Sequence, residues 1–74
     1  MRTRKGVAIP DDLAAALRAD DGLATTFESM RPSCQREYAD WVRTAKKPDT
    51  RARRIGSVLA EVAKWGDRNR AKAR

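Results

Sequence analysis

The sequence predicts an all-α fold, a small bundle of about four helices whose last two form an antiparallel helical hairpin. Three observations carry this. Apolar residues recur at spacings of three and four in four separate stretches. No stretch alternates over a strand length, and no hairpin turn signal occurs. Prolines and an Asp-Asp-Gly run fall between the four stretches, where they interrupt helices.

Residues 1–6 form a basic, apolar-poor lead-in and are expected to be disordered up to Val7. Pro10, Asp11 and Asp12 then make a helix start. Proline suits the first turn, and the carboxylates favour the positive end of the helix dipole. A first helix is expected from Pro10 to Ala19, with Leu13 and Leu17 on its buried face. Asp20 or Asp21 can cap a second, from Gly22 to Met30, whose apolar line is Leu23, Phe27 and Met30. Arg31-Pro32 ends it, because the residue before proline is driven from the helical region.

Ser33 is the expected N-cap of a third helix, Cys34 to Lys46. Cys34, Tyr38, Trp41, Val42 and Ala45 form its apolar stripe, the clearest in the chain. A fourth helix begins at Asp49 or Thr50 after Pro48 and reaches Lys64. Its stripe is Ile55, Val58, Leu59 and Val62, with Trp65 at the edge. Gly56 lies inside this helix and Gly66 is placed to terminate it. The expected core is Leu13, Leu17, Leu23, Phe27, Tyr38, Trp41, Val42, Ile55, Leu59 and Val62.

Seventy-four residues allow one domain, here residues 7–66, between the lead-in and a basic tail at 67–74. A chain of this size has a small core, so a marginal monomer or a small homo-oligomer is expected. The net charge of +7 is unevenly spread. Residues 1–6 carry +3, 7–30 carry −4, 31–54 carry +5, 55–66 are neutral and 67–74 carry +3. The two tails together contribute +6, and tail charge serves solubility or nonspecific attraction more often than recognition.

Composition also removes several kinds of chemistry. Histidine is absent, and with it the commonest general base and metal ligand. The lone Cys34 makes an internal disulfide impossible. No catalytic residues, metal ligands or cofactors are assigned, and enzyme activity is not expected. No apolar run has the length of a membrane span and no secretory leader is present, so insertion into a membrane is not expected and the location is read as cytoplasmic.

Polar constellations remain to be weighed. At 100° per residue, Arg51 falls close to the Ile55 stripe, where an unpaired guanidinium would be costly, so it should find a carboxylate or a helix-end carbonyl. Glu37, flanking the third helix's stripe, is the expected partner in a structural clamp. An anion site built from Arg51, Arg54 and the helix start is the functional alternative. Tyr38 and Trp41 could stack on bases or a peptide, but their helical spacing favours the core. Helices two and three also have the outline of a helix-turn-helix that would present Gln35, Arg36, Asp40 and Arg43. Cys34, in a first turn, is read as a core thiol.

The run from Ile9 to Leu17, with Pro32-Ser33, Glu37-Tyr38, Trp41, Ala45-Lys46 and T-R-x-R-R-I at Thr50 to Ile55, resembles the YdeI/OmpD-associated, or bacteriocin-protection (OmdA-like), family. The resemblance covers about Val7 to Gly66. It implies a helical segment of bacterial origin with a link to envelope or antimicrobial-peptide stress. Glu37, Arg51 and Arg54 stand at the positions of that family's glutamate and arginines.

The leading functional expectation is a non-enzymatic interaction module. It would hold a protein partner or an anion along the rim made by Arg36, Arg43, Lys46, Lys47, Arg53 and Arg54. The alternative is a small basic nucleic-acid-binding protein, nonspecific in its attraction, using the helix-turn-helix-like face and the tails.

Overall fold

The computed structural model describes residues 2–72, and the side chains of residues 2–68. Four helices follow one another: α1 (Asp11–Arg18), α2 (Asp21–Ser29), α3 (Pro32–Arg43) and α4 (Pro48–Lys72). Among the described residues there is no strand, only an isolated antiparallel bridge between Arg2 and Ala8. The architecture is a small all-α bundle.

Local chemistry explains each boundary. Pro10 precedes α1 in extended geometry, and its carbonyl accepts the Ala14 N–H at 2.9 Å. The Asp20 carboxylate caps α2 by accepting from the Gly22 and Leu23 N–H groups at 2.9 and 3.2 Å. Met30 and Arg31 are extended, as the approach to Pro32 requires. Helix α3 then starts one residue before the expected Ser33 cap. Pro32 occupies the first turn, where its missing N–H is no loss, and Arg31 takes the capping position without a side-chain bond. Its end comes at Arg43 rather than Lys46, with Thr44 closing the last turn through a hydroxyl bond to the Trp41 carbonyl at 3.0 Å.

Helix α4 runs through Gly66 to Lys72 instead of ending near Lys64. The reason lies across the bundle. A Cβ at Gly66 would sit 3.1 Å from the Thr26 side chain, so glycine lets α4 pass close to α2. Nothing stands within 4 Å of the equivalent point at Gly56. The expected basic tail is thus helical as far as Lys72, and Ala73 and Arg74 lie outside the described residues.

Helix α4 packs against each of the other three. Leu13, Leu17, Phe27, Met30, Val42, Val58 and Val62 are buried in the common core. Each large side chain withdrawn from water contributes about 1.5–3 kcal/mol before entropy is counted. Leu23, Tyr38, Ile55, Leu59 and Trp65 pack half-buried around this core.

Two expectations fail here. Trp41, placed in the core by periodicity, is 42% exposed. It lies at one margin of the α3 stripe, where the long Arg54 side chain covers it in place of another apolar residue. The lead-in is also not disordered. Met1 lies outside the described residues, but residues 2–8 fold back as a strap. Thr3 N–H donates to the Val7 carbonyl at 2.8 Å, and Gly6 turns the chain at φ 85°, a region that glycine enters without steric cost. Val7 and Ile9 reach the core at 4% and 3% exposure, which supplies the apolar anchorage that residues 2–6 lack.

Candidate functional site

The polar residues of α3 fall on two edges, and different segments cover each. At 100° per residue, Arg36, Asp40 and Arg43 share one edge while Trp41 stands about 140° from Arg36. The strap runs along the first edge and α4 along the second.

On the strap side, Gln35 is the central residue. It is fully buried. Its Nε2 donates to the Phe27 and Met30 carbonyls at 2.7 and 3.2 Å, and its Oε1 accepts from the Thr3 hydroxyl at 2.8 Å. One amide thus satisfies the end of α2 and pins the strap. Lys5 Nζ donates to the same Met30 carbonyl at 2.6 Å, and the Arg4 N–H to Glu28 Oε1 at 2.9 Å. Farther along, Arg43 donates to Asp40 Oδ1 at 2.5 Å and to the Ala8 carbonyl at 3.2 Å. A helix-turn-helix would need Gln35 on an open face. Here it is inside the protein, and the strap lies where a groove would have to approach.

The turn from α3 into α4 carries the other cluster. Arg51 grips Asp12 with two hydrogen bonds, and its Nη1 donates to the Val42 and Ala45 carbonyls at 3.2 and 3.1 Å. The expected clamp with Glu37 is therefore replaced by one with Asp12. Glu37 lies exposed on α3, and the carboxylate that meets Arg51 is Asp12, from the first turn of α1. This pairing holds the Asp12 carboxyl below its usual 3.8, chiefly through the Arg51 hydrogen bond, with burial opposing and the Leu13 N–H assisting. Arg51 is raised in turn by Asp12. The Nε, Nη1 and Nη2 of Arg51 are thus all engaged within the fold.

Arg54 has its own duty at this turn. Its Nη1 donates to the Trp41 carbonyl at 2.7 Å and to the Thr44 hydroxyl at 3.0 Å, which places its guanidinium 5.3 Å from the centre of the Trp41 ring. That distance is within the range of a cation–π contact. Among the described residues Trp41 is the one large hydrophobic side chain left exposed. Lys46 and Lys47, in the turn, and Arg53, near the start of α4, are exposed and make no ion pair among the described residues.

The six expected rim residues therefore separate. Arg36 and Arg43 stand with the strap, while Lys46, Lys47, Arg53 and Arg54 stand at the α3–α4 turn. Arg2, which had no local signal, joins the first group, and Trp41, weighed as a stacking residue but assigned to the core, joins the second. A basic lead-in carries no period, and a tryptophan on a stripe margin looks like any core aromatic.

Tyr38, between the two edges, is half-buried, and its phenol is raised above its ordinary 10.0 by burial and then by Glu61, Cys34 and Glu37. Cys34 is half-buried and free. No group of three His, Cys, Asp or Glu residues able to hold a metal ion occurs among the described residues. No helix among them is long and apolar enough to cross a membrane.

The family described as bacteriocin-protection, YdeI or OmpD-associated (OmdA) fits residues 6–64. No curated protein and no solved structure shows significant similarity to the chain.

Proposed function

The chain belongs to the YdeI/OmpD-associated, bacteriocin-protection family, and from that premise we propose that it is a non-enzymatic interaction module. Its binding edge is the turn between α3 and α4. The supporting observation is Trp41, 42% exposed beneath the Arg54 guanidinium. Tryptophan and arginine are the side chains most enriched where binding energy concentrates in protein interfaces. Lys46, Lys47 and Arg53 add positive charge around that centre, so the partner is an acidic protein segment.

Charge also bears on the family's link to bacteriocin protection. A protein of net charge +7 repels cationic peptides. A protective role in this chain would run through an acidic partner and not through direct capture of such peptides. The non-enzymatic reading draws on side-chain use: the chain has no histidine, Asp12 and Asp40 are in ion pairs and Asp20 caps a helix.

The test is a pull-down with the full chain beside Trp41→Ala and a Lys46→Glu/Lys47→Glu double variant. Each is first checked for native helicity by circular dichroism. An acidic protein retained by the wild type and lost from both variants is the expected result. Equal retention by all three would reject this edge. Fluorescence anisotropy with labelled duplex DNA at two salt concentrations addresses the competing reading. Binding that survives Trp41→Ala and vanishes at higher salt would assign the charge to nucleic acid.

A further inference from the structure

A second feature lies on the opposite edge of α3 and does not depend on the partner-binding reading. Three arginines from two separate segments line one hollow of about 210 Å³: Arg2 from the strap, and Arg36 and Arg43 from α3. Gly6, Val7, Ala8 and Asp40 complete the lining.

The fold uses few of the available donors. Each guanidinium carries five N–H groups in a fixed fork. Arg2 commits one to the Gly6 carbonyl at 3.3 Å. Arg43 commits one to Asp40 and one to the Ala8 carbonyl, which hold it at the rim of the hollow. Arg36 is exposed and makes no side-chain hydrogen bond or ion pair among the described contacts. Three cations against one carboxylate leave the lining with a charge of +2.

From this geometry we propose that the hollow is a binding site for a phosphate dianion, either inorganic phosphate or the phosphoryl group of a small monoester. The planar forks of arginine match phosphate oxygens two at a time. A dianion balances the lining, whereas a carboxylate would leave half of its charge uncompensated. The volume lies below the roughly 300 Å³ at which pockets for larger ligands begin, which suits a phosphoryl group with a small substituent. Ligand entry leaves the seam between strap and α3 intact, because Thr3–Gln35 and Arg43–Ala8 hold it independently.

The experiment is a titration of the full ¹⁵N-labelled chain with inorganic phosphate at constant ionic strength, followed by amide chemical shifts. Glycerol 3-phosphate and acetate form parallel arms. Saturable shifts confined to residues 2–8 and 36–43 are expected with both phosphates, and the tighter of the two identifies the free ion or the monoester as the better ligand. Acetate should bind at least about fivefold more weakly. Arg36→Gln, which removes no contact of the fold, should weaken phosphate about tenfold, while Lys64→Gln should leave it unchanged. Shifts that fail to saturate, an equal response to acetate, or unaltered binding by Arg36→Gln would overturn the assignment.

Discussion

Arg51 and Asp12, 39 positions apart, face one another as fork and carboxylate, Nε to Oδ2 at 2.8 Å and Nη2 to Oδ1 at 3.0 Å. The contact ties the first turn of α1 to the first turn of α4. Through its remaining nitrogen Arg51 also closes the end of α3. Three helix ends thus depend on one side chain.

Both partners should therefore matter, and unequally. Asp12→Asn is expected to lower the melting temperature by about 5 °C, and Arg51→Met by more, since it also strips the Val42 and Ala45 carbonyls. A double-mutant cycle should show coupling, and strict additivity would refute the pairing. The pH dependence has a definite sign. The folded pKa of Asp12 lies below 3.8, so its contribution is complete above that value and is lost as pH falls through the lower folded one. Urea melts between about pH 4 and pH 2 should show a shallower decline for Asp12→Asn than for the wild type.

Gln35 is the polar residue whose loss should be felt most. Gln35→Leu keeps the volume but leaves the Phe27 and Met30 carbonyls and the Thr3 hydroxyl without it. A cost of about 2–3 kcal/mol is expected in chemical denaturation. Thr3→Val should cost about 1 kcal/mol, and the double variant less than the sum of the two.

Two glycines in one helix predict opposite outcomes. Gly56→Ala enters open space and should stabilise by about 0.5–1 kcal/mol through helix propensity. At Gly66 the same change meets Thr26 at 3.1 Å, so the gain should be cancelled or reversed. Equal stabilisation at both positions would mean that α2 and α4 do not approach as described.

Tyr38 is the one tyrosine, so absorbance of the phenolate reports it alone. Its midpoint should lie above 10.0 in the native protein and return to about 10 in concentrated urea. The sign follows: the folded state holds this proton more tightly, so stability is undiminished below pH 10 and falls as pH rises from there through the folded pKa. Tyr38→Phe should remove that alkaline fall.

What the sequence discloses is what the helical period controls. Leu13, Leu17, Phe27, Val42 and Val62 lie inside because spacings of three and four put them on one face each. The same period places Trp41 only on the margin of its face, where a neighbour's length decides whether a ring is covered. Gln35 escapes notice because its partners are mostly main-chain carbonyls, which every residue has. Asp12 resembles any helix-start acid, and nothing local marks it as the counterpart of an arginine in another helix. Gly66 reads as a stop signal, yet Thr26 across the bundle converts it into a point of close approach.

The strap has a consequence for how the protein folds. Thr3 reaches a partner 32 positions along the chain, and that partner is usable only once α2 has ended and α3 has begun. Helical turns form from neighbours on the microsecond scale, whereas a contact of this span waits for the chain to close a long loop. The strap therefore locks only after the α2–α3 junction has formed. In stopped-flow measurements, Thr3→Val should speed unfolding and leave the refolding rate nearly unchanged, so the N-terminal turn acts as a latch that sets how long the native state lasts.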